Sequence, residues 1–143
     1  MGGPMARHLA AAGHDLIVYN RSAAKAEAWV AAHGGAQAAS PAEAATGVDA
    51  VITCVGNDDD LADVTLGREG AFRTMRSGAL FIDHTTVSAR IARQLAVEGK
   101  SQGLLCVDAP VSGGQAGAEN GTLGIMCGGR DVAITGAKRM RAG

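Results

Sequence analysis

Short apolar runs alternate with helical stretches along this chain, and that alternation restricts the architecture more than any other feature. DLIVY (15–19), DAVITCV (49–55), ALFID (79–83) and LLCVD (104–108) read as buried strands, and TLGIMC (122–127) as one more. Between them, residues 4–12 read as a helix with Pro4 at its first position, Met5, Leu9 and Ala12 on one face, and Gly13 as its stop. Residues 23–33 read as a second helix, ended by Gly34-Gly35. Ser40-Pro41-Ala42-Glu43 has capping-box spacing, and residues 88–98 read as a helix with Ile91 and Leu95 inward. Such strands need a parallel sheet covered on both faces, so the expected fold is a doubly wound α/β domain.

Composition narrows the function classes. Thirteen basic and fourteen acidic residues give a net charge of −1, which argues against a nucleic-acid arm or a polybasic membrane patch. No apolar run approaches the ~20 residues of a membrane span, and MGGPMARHLA is not read as a signal peptide. Twenty-one glycines are roughly twice the usual share, so helices must approach sheets closely. Three cysteines, Cys54, Cys106 and Cys127, without a CxxC pair, argue against a disulfide framework or a zinc site. The expected compartment is the reducing cytoplasm.

In open α/β sheets ligands bind beyond the carboxyl ends of the strands. Asn20-Arg21-Ser22, Gly56-Asn57, His84-Thr85-Thr86 and Ala109-Pro110-Val111-Ser112-Gly113-Gly114 each follow an apolar run. Any one of them alone reads as ordinary turn chemistry; together they mark one edge. Asp58-Asp59-Asp60 reads as helix N-terminal acids rather than a metal site. His14 and His84 read as local hydrogen-bonding groups.

MGGPMA, AGHDLIVYNRS, VITCVGN, DHTT and above all DAPVSGGQAGAENGTLGIMCGG resemble the β-hydroxyacid dehydrogenases of the 3-hydroxyisobutyrate dehydrogenase and tartronate-semialdehyde reductase type. The resemblance runs from residue 1 to about 130. It implies a Rossmann-type nucleotide-binding domain over 1–130, followed by a tail over 131–143. It also implies a nicotinamide cofactor and hydride transfer between a small 3-hydroxyacid and its semialdehyde.

Within that resemblance, Gly2 stands where the third glycine of a GxGxxG fingerprint would be, with Met1 before it, at the helix N-terminus that receives the pyrophosphate. Arg21, flanked by Asn20 and Ser22, accommodates a ribose 2′-phosphate, which favours NADP, with NAD the alternative. A solvated Arg in a turn is the competing reading. The resemblance also implies that Val55, Gly56 and Asn57 line the cofactor and that Thr86 approaches the nicotinamide. A strand-to-helix turn and a helix N-cap are the structural alternatives. Ser112, Gly113 and Gly114 offer a hydroxyl and successive backbone N–H groups to a substrate carboxylate, or else form a simple loop before a short helix.

Two departures from the family pattern bear on activity. The opening strand and its GxG are not encoded, and in the order 3-2-1-4-5-6 that strand is central. Its loss is expected to cost on the order of 10 kcal/mol, or to leave two sheet edges open to association. The family's proton-transferring lysine lies past the nucleotide domain and is not matched by Lys25, Lys100 or Lys138. Negligible turnover is therefore expected, since acid–base help is worth about 10²–10⁴ in rate. Two alternatives from other classes are a non-catalytic nucleotide-binding module and a gene fragment without function. The intact enzyme is expected to be a homo-oligomer.

Overall fold

A computed structural model describes residues 1–129. The tail over 131–143 and Lys138 lie outside the described residues. Six helices and eight short strands follow one another along the described chain: α1 (Gly2–Ala11), β1 (Ile17–Val18), α2 (Ala23–His33), β2 (Ala36–Gln37), α3 (Pro41–Ala44), β3 (Ala50–Thr53), α4 (Asp58–Leu66), β4 (Leu80–Asp83), α5 (Ala89–Ser101), β5 (Leu105–Asp108), β6 (Val111–Ser112), α6 (Gly114–Asn120), β7 (Gly124–Ile125) and β8 (Gly128–Gly129). A single 3₁₀ turn, Ala71–Arg73, follows α4.

The strands form three sheets. β3, β4 and β5 run parallel, with Ile52 opposite Ile82 and Ile82 opposite Val107, and β8 adds antiparallel to β5. β1 and β2 form a separate parallel pair, and β6 and β7 an antiparallel one. The domain is α/β and predominantly parallel, as expected. Among the described residues no strand pairs with the second edge of β1 or of β3, so the sheet stands in two parts.

β4 is buried at all four positions because it lies between β3 and β5 with layers on both faces. Phe81 points into a cluster with Leu61, Phe72, Ile91, Leu95 and Leu104, where α4, the 3₁₀ turn and α5 cover the sheet. Leu80 and Ile82 point the other way, with Val107 and Ala109, against Ile125 of β7. Phe72 and Phe81 meet edge-on at 5.0 Å between ring centroids, a favoured geometry for aromatic pairs.

Several boundaries differ from the sequence reading. TLGIMC is not one strand: it contributes only Gly124–Ile125, paired back onto Val111–Ser112. DLIVY contributes only Ile17–Val18, because β1 has a partner on one side alone. α1 begins at Gly2, two residues before Pro4, and on its expected apolar face only Met5 is buried while Ala12 is exposed. Ser40 caps α3 through Glu43 N–H, although Glu43 Oε2 reaches back to the amide of Ala39 rather than that of Ser40.

Candidate functional site

Three helix starts, those of α1, α2 and α6, carry no capping side chain, while those of α4 and α5 are closed by their own side chains. The first four N–H groups of a helix have no partner within it. In α4 the Asn57 side chain accepts from Asp60 N–H, and three aspartates fill the first turn. In α5 the Ser88 hydroxyl accepts from Ile91 N–H. α1 and α2 carry no side-chain cap and no acidic residue in the first turn. A bound anion is therefore favoured at α1 and α2 by free donors and the helix dipole, and disfavoured at α4.

The start of α1 lies against the end of β3. A Cβ added to Gly2 would stand 3.6 Å from Cys54 Cβ, ordinary contact distance, so the glycine lets helix and strand pack closely. Burial pushes the Cys54 thiol up, partly opposed by the positive Met1 amino group. The Trp29 indole, in the second half of α2, donates to the Gly3 carbonyl at 3.0 Å and ties α2 to the start of α1.

At the end of β1, Asn20 accepts from Ser22 N–H at 2.9 Å, which shapes the turn into α2. Arg21 projects into solvent and pairs with Asp60 in the first turn of α4 at 3.2 Å. That pair links the two parts of the sheet at their carboxyl ends.

The ends of β3 and β4 are locked by buried polar groups. Thr53 and the Thr85 amide both donate to Asp83 Oδ1, at 2.7 and 3.0 Å, and Val55 N–H donates to the Thr85 hydroxyl at 3.0 Å. Asp83 and Thr85 are 4 % and 3 % exposed. Burial lifts the Asp83 carboxyl above its usual range against the opposing pull of these hydrogen bonds. Asp108, at the same register position on β5, is lifted by partial desolvation at the carboxyl edge of the sheet and by the Asp83 charge. Beyond this lock, Gly56, Asn57, Thr86 and Ser88 line an open cleft. Asp58 accepts from Ser88 N–H at 2.9 Å and Ser88 Oγ at 2.5 Å across it, and these bonds hold its carboxyl below the usual range.

His84 is buried and its Nδ1 lies 2.7 Å from the Ala109 carbonyl, the local role expected of it. Ala109 N–H also donates to the Asp83 carbonyl at 2.8 Å. These two bonds anchor the start of the segment that carries Ser112, Gly113 and Gly114 to the end of β4. Gly113 and Gly114 have φ of +123° and +62°, backbone that disfavours any side chain there.

Gly2 thus lies beside the end of β3, Arg21 reaches the first turn of α4 while Asn20 and Ser22 close the turn around it, and Gly56, Asn57 and Thr86 share one cleft, with Val55 tied to Thr85 behind it. Ser112–Gly114 is attached through Ala109. Asp83 and Thr53 escaped the sequence reading, although an acid closing the otherwise apolar ALFID run was a usable signal. A second depression, lined by Thr65, Phe72, Arg73, Glu98 and Gln102, lies at the opposite ends of α4 and α5 and gathers none of these groups. Among the described residues no cluster of His, Cys, Asp and Glu could hold a metal ion, and no helix is long and apolar enough to cross a membrane.

Comparison with known proteins gives the family. Residues 1–140 match the model of the NAD binding domain of 6-phosphogluconate dehydrogenase. An uncharacterized oxidoreductase of Shewanella frigidimarina is 55% identical over 129 residues, 90% of this chain and 44% of that protein. The structure of the Mycobacterium tuberculosis 3-hydroxyisobutyrate dehydrogenase with L-serine superposes with a TM-score of 0.90 at 34% identity, covering 99% of this chain and 47% of that one. Psf3 in complex with NADP+ and 2-OPP superposes with a TM-score of 0.91 at 25% identity, over 99% of this chain and 50% of that one. The chain thus spans about half the length of the relatives it matches. It belongs to the family of the NAD binding domain of 6-phosphogluconate dehydrogenase, whose relatives include the 3-hydroxyisobutyrate dehydrogenases.

Proposed function

We propose that residues 1–130 bind NADP, with NAD the alternative, as the nucleotide domain of a reductase acting between a small 3-hydroxyacid and its semialdehyde. The carrying observation is the contrast among helix starts: α1 and α2 are uncapped and free of acids, whereas α4 and α5 cap themselves. Met1 and Gly2 would hold the pyrophosphate at the start of α1. Asn20, Arg21 and Ser22 would hold the ribose and its 2′-phosphate at the start of α2. Val55, Gly56 and Asn57 would line the cofactor, and Thr86 the nicotinamide end. When bound, the nicotinamide supplies the hydride.

Ser112, Gly113 and Gly114 would take the substrate carboxylate, the hydroxyl and the backbone N–H groups replacing its water. Of the lysines among the described residues, Lys25 stands in the first turn of α2 beside Arg21 and Lys100 at the far end of α5. Neither is tied to the Ser112 turn. Proton delivery to the substrate oxygen would fall to a lysine outside residues 1–129, within a homo-oligomeric cytoplasmic enzyme. Turnover from the 143-residue chain alone is expected to be negligible.

Equilibrium dialysis of the chain against NADPH and NADH tests the reading. Saturable binding with NADPH preferred is expected, and an absence of binding to both overturns it. The 2′-phosphate assignment fails separately if Arg21→Asp leaves the preference between the two cofactors unchanged.

A further inference from the structure

We propose that Arg7 and His8 are positioning residues that tie the cofactor helix α1 to the substrate turn 112–114 through the C-terminus of α6. The inference rests on the reading given under Proposed function, and it concerns residues to which that reading assigns no part.

α6 has seven residues, too few to persist unaided, since isolated helices shorter than about 12–15 residues are marginal in water. Its Gly117 and Ala118 carbonyls accept from the Thr122 and Gly121 amides that end the helix, and α1 supplies further donors to the Ala118 and Glu119 carbonyls. His8 Nε2 lies 3.0 Å from the Ala118 carbonyl and 3.0 Å from the Glu119 carbonyl. Both partners are acceptors only, so Nε2 carries the hydrogen. Arg7 donates to the Glu119 carbonyl at 2.7 Å. A Cβ on Gly121, the left-handed C-cap at φ +69°, would come within 3.3 Å of the His8 ring, so the glycine both ends the helix and admits the imidazole.

The rest of the 111–125 unit closes on itself. β6 pairs with β7, and Leu123 lies over Gly113 and Gly117, whose added Cβ atoms would stand 3.3 and 3.2 Å from it. Gly113 is the N-cap of α6, so whatever fixes the axis of α6 fixes the turn that precedes it. Arg7 and His8 therefore set where the Ser112–Gly114 amides stand relative to the start of α1, six residues before His8. A ligand that steadies α1 reduces the ordering cost of a second ligand at the turn, and the coupling is reciprocal.

The test uses the full 143-residue chain as wild type, His8→Ala, Arg7→Ala/His8→Ala and His8→Gln, the last keeping a side-chain N–H. Amide hydrogen exchange is followed at 114–121, with 80–83 and 105–108 reporting that the sheet is folded. The dissociation constant of 3-hydroxyisobutyrate is measured with and without saturating NADPH. In the wild type, NADPH should tighten the acid by roughly fivefold or more. In the double variant that ratio should fall toward one, and exchange at 114–121 should rise about tenfold with the sheet unchanged. His8→Gln should recover most of both. Wild-type coupling that persists in the double variant, or unchanged exchange at 114–121, overturns the tie while leaving the cofactor reading intact. No binding of NADPH by the wild type overturns the cofactor reading and the coupling with it.

Discussion

The Thr53 hydroxyl donates to the Asp83 carboxylate at 2.7 Å, joining the carboxyl ends of β3 and β4 through a buried charge. Burial raises the Asp83 pKa above 3.8, with the Thr53 and Thr85 hydrogen bonds opposing the rise. A carboxyl raised in the folded state favours folding most when protonated. Its contribution is fully present below the unfolded value and is lost as pH rises through the folded one. Asp83→Asn keeps an acceptor oxygen for both donors and does not ionise. Its stability relative to wild type, read as a urea midpoint, should therefore rise as pH increases from about 3.8 toward neutrality. A difference that shrinks over that range would contradict the assignment.

Ser88 serves two partners at once. Its hydroxyl accepts from Ile91 N–H as the cap of α5, and its hydroxyl and amide both donate to Asp58. Ser88→Ala should cost about 1 kcal/mol of stability through the lost cap. Asp58 has the opposite sign to Asp83: its pKa is depressed, so its contribution is present above 3.8 and lost as pH falls through the folded value. The Ser88→Ala penalty should accordingly shrink in acid, which denaturant titrations at several pH values would reveal.

Arg21 is held only loosely by Asp60, since its side chain is 84% exposed and such pairs contribute roughly 0–1 kcal/mol. It is therefore available to a phosphate. Arg21→Asp should weaken NADPH relative to NADH on the order of tenfold or more. Asp60→Asn removes the competitor and should tighten NADPH a few-fold at most, about what an exposed pair is worth. Fluorescence titration of both cofactors decides; an Asp60→Asn variant that binds NADPH more weakly would place the phosphate elsewhere.

Gly99 of α5 sits directly over Cys106 of β5, and an added Cβ would come to 2.3 Å from its sulfur. Gly99→Ala should destabilise by about 1–3 kcal/mol through overpacking. The other neighbours, Leu104 and Phe72, lie at 3.6 and 3.7 Å, ordinary contact distances. In a Cys106→Ala background the same substitution should become neutral or mildly stabilising, because alanine also relieves the backbone entropy cost of a helical glycine. Thermal melts of the four proteins close this cycle.

What the sequence carried was whatever a single element decides for itself. The core strands β3, β4 and β5 announced themselves through apolar runs, and the caps of α3 and α5 through Ser40 and Ser88. β2 carried no such signal: Ala36–Gln37 is exposed, and it is a strand only because Ala36 and Ala38 N–H groups donate to Leu16 and Val18 carbonyls. α6 entered only as the short helix after the Ser112–Gly114 loop, without bounds, because GQAGAEN lacks an apolar stripe and its last carbonyls take donors from Arg7 and His8 more than a hundred residues earlier. The strand-end residues of the candidate site were legible as polar and glycine punctuation. The Thr53–Asp83–Thr85 lock beneath them was not, since it depends on register between strands thirty residues apart.

The parting of the parallel sheet into two pieces has a mechanical outcome. Most large buried apolar side chains serve β3, β4 and β5, while the β1–α2–β2 lobe buries little beyond Ala26 and Ala38. That lobe is held to the rest by α1, the Trp29 indole and one surface ion pair, so it should melt away first, ahead of the main body. A dinucleotide lying across both pieces would then work as a splint, making the weaker lobe's integrity a function of cofactor supply.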